Sequence, residues 1–460
     1  MRNRLIAAAA ALLLVAACDG GGGPSTTTGA PGTTGASSPA TTTVEETTTT
    51  TLLPGTEELP DEIRAELTEL TEITQEVRGL EFLEQPNVVV VTNEELAQRV
   101  REQLAEDLED LPADQALYRL LGLIDDEVDL EQLYNDLYSE QVAGYYDGDA
   151  GELVVPRAEE GFTALQRATL VHELAHALTD QHYAFNDRYT ALIDEDRFDE
   201  AAAFQALIEG DATLAELIYL QGLTTEEQAA FFQESFGIDQ TVFQSAPRFI
   251  RDALVFPYDS GFLFVDRLYR TGGFSAVADA YASPPASTEQ IIDPEDYPAD
   301  VPVEVTIGTL AIEGYELEYQ STWGELSFAL MFDQALDTDT SDVAAGGWGG
   351  DTYQVHFNGE DVVFVLYYRG DASTDAEELR QALHQYVDTA MNTGEAEETE
   401  EGTAFRGDDA AWISMDGANL LFVATSDPGL LDGVVADAMA AIEAGQTTDT
   451  SGEATDTTGG

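Results

Sequence analysis

Residues Thr163–Tyr183 read TALQRATLVHELAHALTDQHY, and the rest of the chain is organised around them. The 460-residue chain has five histidines, and His172, His176 and His182 all fall in this segment. Residues four apart share one face of an α-helix, so the HExxH pattern aims His172 and His176 at a common point. Two imidazoles so placed suit a tetrahedral zinc ion. Glu173, one position on, can reach a water on such an ion without occupying a ligand position. Thr163 and Gln166 form a T-x-x-Q capping box, and no Gly or Pro interrupts the run to Tyr183. Leu170, Val171, Leu174, Ala175, Ala177 and Leu178 make the helix apolar on nearly every side. It is therefore expected to be buried, and buried imidazoles and a carboxylate without partners cost several kcal/mol.

Catalytic zinc takes three protein ligands and keeps one position for water. HExxH supplies two, and His182 falls too early to be the third. A carboxylate from a later helix remains. Asp199–Leu220, DEAAAFQALIEGDATLAELIYL, has a helical pattern with Glu209 between Leu207, Ile208, Ala212 and Leu214, where an unpaired charge is hard to sustain. Glu209 is the candidate, with Asp211, Glu216, Asp199 and Glu200 as alternatives. Gly210, at mid-helix, costs about 1 kcal/mol against alanine and predicts close approach of another helix.

Composition narrows the partners. With 18 basic and 89 acidic residues the formal net charge is −71, and every basic residue is arginine. Such a chain repels nucleic acid and anionic lipid surfaces. Its 43% hydrophobic content still suffices for a sizeable core. Arg2 and Arg4 precede an apolar stretch, Leu5–Ala17, too short to span a bilayer comfortably. Val15-Ala16-Ala17-Cys18 resembles the lipobox of bacterial lipoproteins, which implies a leader over 1–18, lipidation of Cys18 and export. Cys18 is the sole cysteine, which agrees with a chain without disulfides.

Residues 19–56, rich in Gly, Ser, Thr, Pro and Ala, read as a flexible tether with a reach of roughly 35 Å. Helices are expected over 57–80, from a Thr92/Glu95 capping box to about 110, and over 113–124 and 129–140. Asn87–Val91 reads as a strand, and 142–155 as a hairpin just before the HExxH helix. Residues 182–198 read as a loop, and further helices extend to about Ala282. From about Val301 the pattern alternates at Val303–Thr306, Gln354–Phe357 and Val362–Tyr368. Helices at 320–336 and 375–392 and a strand pair near 411–425 follow. Gly346–Asp351 reads as an irregular turn, and 445–460 as a disordered tail. The expected class is α+β: a mainly helical domain over 57–300 with a small hairpin sheet, then a smaller α+β domain over 301–444.

HELAHALTDQHY followed by ALIEGDAT resembles the gluzincin branch of HExxH metallopeptidases, and more narrowly a group of bacterial metallopeptidase-like lipoproteins. The likeness extends to QVAGYYDGDAGELVV, to PYDSGFLFVDRLYRTGGFSAVADAYASPPASTEQI and to GGWGGDTY, covering most of 85–355. It implies one catalytic zinc held by His172, His176 and Glu209, with Glu173 as base and proton shuttle in hydrolysis of protein or peptide substrates. In that group a histidine often stands where this chain has Asp293. The hairpin implies a strand that holds the substrate backbone; the alternative is that Tyr145 and Tyr146 are core residues. Tyr258, Tyr281 and Arg267 fall in the downstream match as oxyanion-donor candidates, each more simply read as structural. Asp180 and the acidic stretch 194–200 could support the ligand histidines. Two other readings are a zinc-binding surface lipoprotein without catalysis, and an envelope- or solute-binding protein acting through its C-terminal unit.

Overall fold

The computed structural model of the protein describes residues 53–57, 59–107, 111–139, 144–157 and 161–449. The leader, Cys18 and the tether to residue 52 lie outside the described residues. Order begins earlier than Glu57: Leu53 is buried in the core, and the Pro54 carbonyl accepts from Val88 N (3.0 Å). Among the described residues no helix is long and apolar enough to cross a membrane.

The protein is α+β. The first part of the chain runs α1 (Asp61–Arg78), β1 (Asn87–Val91), α2 (Asn93–Asp107), α3 (Leu111–Leu120), α4 (Leu130–Ser139), β2 (Tyr145–Asp147), β3 (Glu152–Pro156) and α5 (Ala164–Tyr183). It continues through α6 (Phe185–Asp194), α7 (Phe198–Gly222), α8 (Thr225–Ser235), α9 (Thr241–Ser245), α10 (Arg248–Gly272), α11 (Phe274–Ala282) and α12 (Glu289–Ile292). The three strands form one sheet in the order β1-β3-β2, with β1 parallel and β2 antiparallel to β3. β2 is thus an edge strand.

Local chemistry sets the site helix. The Thr163 side chain accepts from Gln166 N while Gln166 caps Thr163 N, and Ala184 in the left-handed region (φ 49°) closes the C-terminus. α6 corrects the expected loop over 182–198. Its acidic and aromatic composition suggests a loop, yet Phe185, Leu192 and Ile193 fall on one face and are buried. Along α7, Gly210 lies against the Gly261 carbonyl of α10, and Gly261 lies against the Ala206 carbonyl. A Cβ at either position would run into backbone. The two helices therefore cross on glycine, as the mid-helix glycine predicts.

A second, seven-stranded antiparallel sheet has the order β4-β5-β6-β10-β9-β8-β7. Its strands are β4 (Glu316–Ser321), β5 (Trp348–Phe357), β6 (Val362–Gly370), β7 (Ala396–Glu398), β8 (Thr403–Arg406), β9 (Ala410–Asp416) and β10 (Asn419–Thr425). Helices α13 (Gly324–Phe332), α14 (Thr338–Ala345), α15 (Ser373–Ala390) and α16 (Leu431–Asp449) accompany it. Four expectations are corrected here. Val303–Thr306 is not a strand; its alternating residues are largely exposed, and one bond, Val303 N to Gly349 O (2.7 Å), ties it to the sheet edge. The expected helix at 320–336 begins as β4, with α13 only from Gly324. Gly346–Asp351 does not form a free turn but leads into β5, with a bulge between Trp348 and Gly350. The tail is helical through Asp449.

The expected boundary at 300/301 falls in an extended segment, but the apolar core runs across it without a break. Tyr319 OH donates to Asp114 (2.5 Å) and Tyr386 OH to Leu121 O (2.7 Å). The start of α7 is held from both sides: Phe198 N donates to Ser321 Oγ (3.1 Å), and Asp199 accepts from Thr288 Oγ1 (2.5 Å) and N (3.1 Å). Burial pushes the Asp199 carboxyl up to about 7, against the pull of the Thr288 bonds. The native state therefore keeps a proton that the unfolded chain releases near pH 4. This contribution to stability is complete below that pH and is lost as pH rises through about 7. Melting temperatures taken from pH 4.5 to 8 are expected to fall more steeply for wild type than for Asp199→Asn. Equal slopes would refute the assignment.

Candidate metal centre

α5 and α7 pack side by side and face their polar residues at one another. His172 Nε2 lies 3.2 Å and His176 Nε2 3.3 Å from the same Glu209 oxygen, Oε2. One ligand atom from each residue falls within 4.8 Å of the other two. All three side chains are buried, and the imidazoles stand edge-on, 4.7 Å between centroids at 80°. Two imidazole nitrogens and a carboxylate oxygen are donor types that zinc accepts. Among the described residues neither buried ring nitrogen of His176 has a well-aligned hydrogen bond, Nε2 meeting only the Glu209 oxygen at 3.3 Å. Imidazole nitrogens in this state are available to a metal ion.

Electrostatics follow from this packing. Burial pulls the His172 imidazolium down, but Glu209 and Glu216 more than offset it and bring it to about 10. Burial pushes Glu209 up, and His176 and His172 outweigh it, holding the carboxyl near about 2. The site thus stabilises positive charge among negative oxygens, and a metal would displace the imidazole protons on binding. Glu173 is fully buried, which raises its carboxyl, while His176, His172 and the Tyr146 N–H act against that. Its Oε2 accepts from Tyr146 N at 2.8 Å, and among the described residues Oε1 makes no hydrogen bond. Because Tyr146 gives its N–H to Glu173 and not to β3, the outer edge of β2 faces the site.

Residues 314–435, from just before β4 to the start of α16, match a family model described as a domain of unknown function, DUF8575. No curated protein and no solved structure matches the chain. All residues of the centre lie outside the matched segment.

Other sequence candidates sort by location. Asp211 points away from the histidines to Arg78, and Glu200 pairs with Arg197 at the surface. Glu216 stands behind His172, with Oε2 3.4 Å from Nδ1. Asp180, expected to support a histidine, instead accepts from Tyr146 OH (2.8 Å) and Asn186 N (3.0 Å). His182 Nε2 meets the Glu81 carbonyl at 2.8 Å. Tyr258 comes into the centre, its ring 6.4 Å from that of His172. Burial, with Glu209 and Glu173 nearby, pushes its phenol well above the ordinary value, so it stays protonated. Tyr281 stacks on Tyr183 (4.4 Å), and Arg267 pairs with Glu295 (3.3 Å) in solvent. Apart from these candidates, His356 bonds to Gln354 (3.1 Å) inside the sheet unit, where burial holds it down at about 4.

Glu216, an alternative ligand in the sequence, takes a place behind His172 that its spacing explains. It follows Glu209 by seven residues, two turns along the same face of α7. Glu216→Ala is expected to weaken metal binding by about 10- to 100-fold with the fold intact, because a carboxylate behind a ligand histidine orients the ring and raises its basicity. Competition with a chromophoric chelator measures this; unchanged affinity would remove Glu216 from that role.

Proposed function

We propose that the protein is a zinc-dependent metallopeptidase of the gluzincin type, exported and held at the outer face of the cytoplasmic membrane through Cys18. The convergence of His172, His176 and Glu209, with Glu173 beside them, carries the reading. A purely structural metal site has no need of a neighbouring base. His172, His176 and Glu209 would hold the ion. Zinc so bound supplies a Lewis acid that polarises a carbonyl and lowers the pKa of water to about 7.

The chain's own groups perform the proton work. The Tyr146 N–H fixes one oxygen of Glu173, leaving the other without a hydrogen bond and available to take a proton from water and deliver it to the leaving amine. Tyr258, held protonated, is the donor available for charge developing on the substrate carbonyl oxygen. Tyr145 and Tyr146 are core residues, but β2 ends its sheet, and the backbone groups on that side not used by Glu173 are where an extended peptide would lie. No nucleic-acid role is proposed, given the net charge of −71.

Metal analysis of the purified full-length protein, paired with hydrolysis of an unfolded protein substrate, tests the reading. One zinc per chain is expected, with both zinc and hydrolysis lost in His176→Ala. A stoichiometric zinc that survives that substitution would overturn the site, and zinc without any hydrolysis would overturn the activity.

A further inference from the structure

We propose that Glu289, Asp300 and Asp371 form a second, oxygen-only cation site that takes a hard divalent ion of the calcium type. The three carboxylates come from different segments: α12, the stretch leading to residue 301, and the turn between β6 and α15. One oxygen from each falls within 4.8 Å of the other two. Glu289 is 7% exposed, and among the described residues its carboxylate makes no hydrogen bond or ion pair. It is therefore a largely buried carboxyl without a hydrogen-bonded partner among the described residues, with an oxygen close to two further carboxylates. Glu325, 8% exposed and equally without a bonded partner, is the strongest charge acting on it. The four charges that act most strongly on Glu289, those of Glu325, Asp300, Asp371 and Asp296, are all carboxylates.

Other features hold the cluster together against its own repulsion. The Gln290 side-chain amide donates to the Asp300 carbonyl, and Asp300 N to Asp296 O (2.9 Å). On the sheet side, Gly349 leaves room for the Asp371 carboxylate, and Gly347 for Asp375. The glycine motif GGWGGD, which plays no part in the metal centre on α5 and α7, thus makes space for acidic side chains near this cluster. Burial and the neighbouring carboxylates push Glu289 up to about 8.

The ligand chemistry follows from the donors. Without imidazole or thiolate the site favours a hard cation. Two of its three carboxylates, Asp300 and Asp371, are exposed and leave room for several waters. Irregular coordination by six to eight oxygens suits calcium, whereas magnesium demands near-octahedral geometry at short distances. Bound there, the ion would tie α12 to the sheet unit.

Melting of the full-length protein in calcium, magnesium and sodium chlorides at matched ionic strength tests the proposal. Calcium is expected to raise the melting temperature beyond sodium and magnesium. The excess should vanish in Asp300→Asn/Asp371→Asn, whose exposed side chains can change without disturbing the core, and persist in His176→Ala, which separates this site from the first. Calorimetric titration should show calcium affinity at least tenfold weaker in Glu289→Gln. An excess equal in wild type and the double variant would reduce the effect to diffuse screening and overturn the site, as would a wild-type response no larger than that to sodium.

Discussion

Glu173→Gln is expected to lower peptide hydrolysis by about 10³-fold while zinc content stays at the wild-type level. The substitution preserves shape and leaves a carbonyl oxygen to accept the 2.8 Å bond from Tyr146 N. It removes only the capacity to take a proton. Glu173 is fully buried, but glutamine has nearly the same volume, so no cavity opens. Burial raises its carboxyl already, so the neutral amide costs the fold little. Zinc measured on the same sample as hydrolysis makes the result decisive. A rate within tenfold of wild type would mean that Glu173 is not the base.

The second large effect is on stability. Arg78 and Asp211 are each 1% exposed and meet at 2.8 Å between Nε and Oδ1, with Nη2 2.9 Å from Oδ2. The guanidinium also lies 4.3 Å over the Phe274 ring. Asp211→Ala would leave the arginine buried without its counter-charge, at a cost of about 3–5 kcal/mol. Replacing both partners, as in Arg78→Met/Asp211→Leu, is expected to recover most of that loss, because two charges no longer need to leave water. Denaturant unfolding of wild type, single and double variants measures the difference. If the single variant lost less than about 1 kcal/mol, the pair would not be the buried clamp the geometry describes. Asp211 lies two residues beyond Glu209, so the pair also sets how α7 presents its carboxylate to α5.

Much of this was legible in the chain itself, and the rest failed for definable reasons. The Thr163/Gln166 box and the uninterrupted run to Tyr183 are local signals, and α5 follows them. The valine run of β1 and the glycine crossing at Gly210 are similarly local. His172, His176 and Glu209 could be paired because each lies on a helix with its own periodicity and an apolar setting that demands compensation. Val303–Thr306 shows the limit: alternation alone does not make a strand without a neighbour to complete its ladder. β4 is the converse, a polar, half-exposed segment that becomes a strand only because β5 lies beside it. The Tyr146 N–H on Glu173 and the Arg78 clamp bring together residues 27 and 133 positions apart, and no local pattern announces either.

The anchorage of α7 at Ser321 and Thr288 has a consequence for how this protein can evolve. Asp199 and Glu209 are ten residues apart, about 15 Å along one continuous helix. The far end of that helix is mounted on the first strand of the unit that matches DUF8575. That unit is thus no interchangeable cassette hung behind a self-sufficient helical half. Exchange for a relative's version would have to reproduce the mount at Ser321 to keep Glu209 in register with the histidines, so the two halves are constrained to be inherited together.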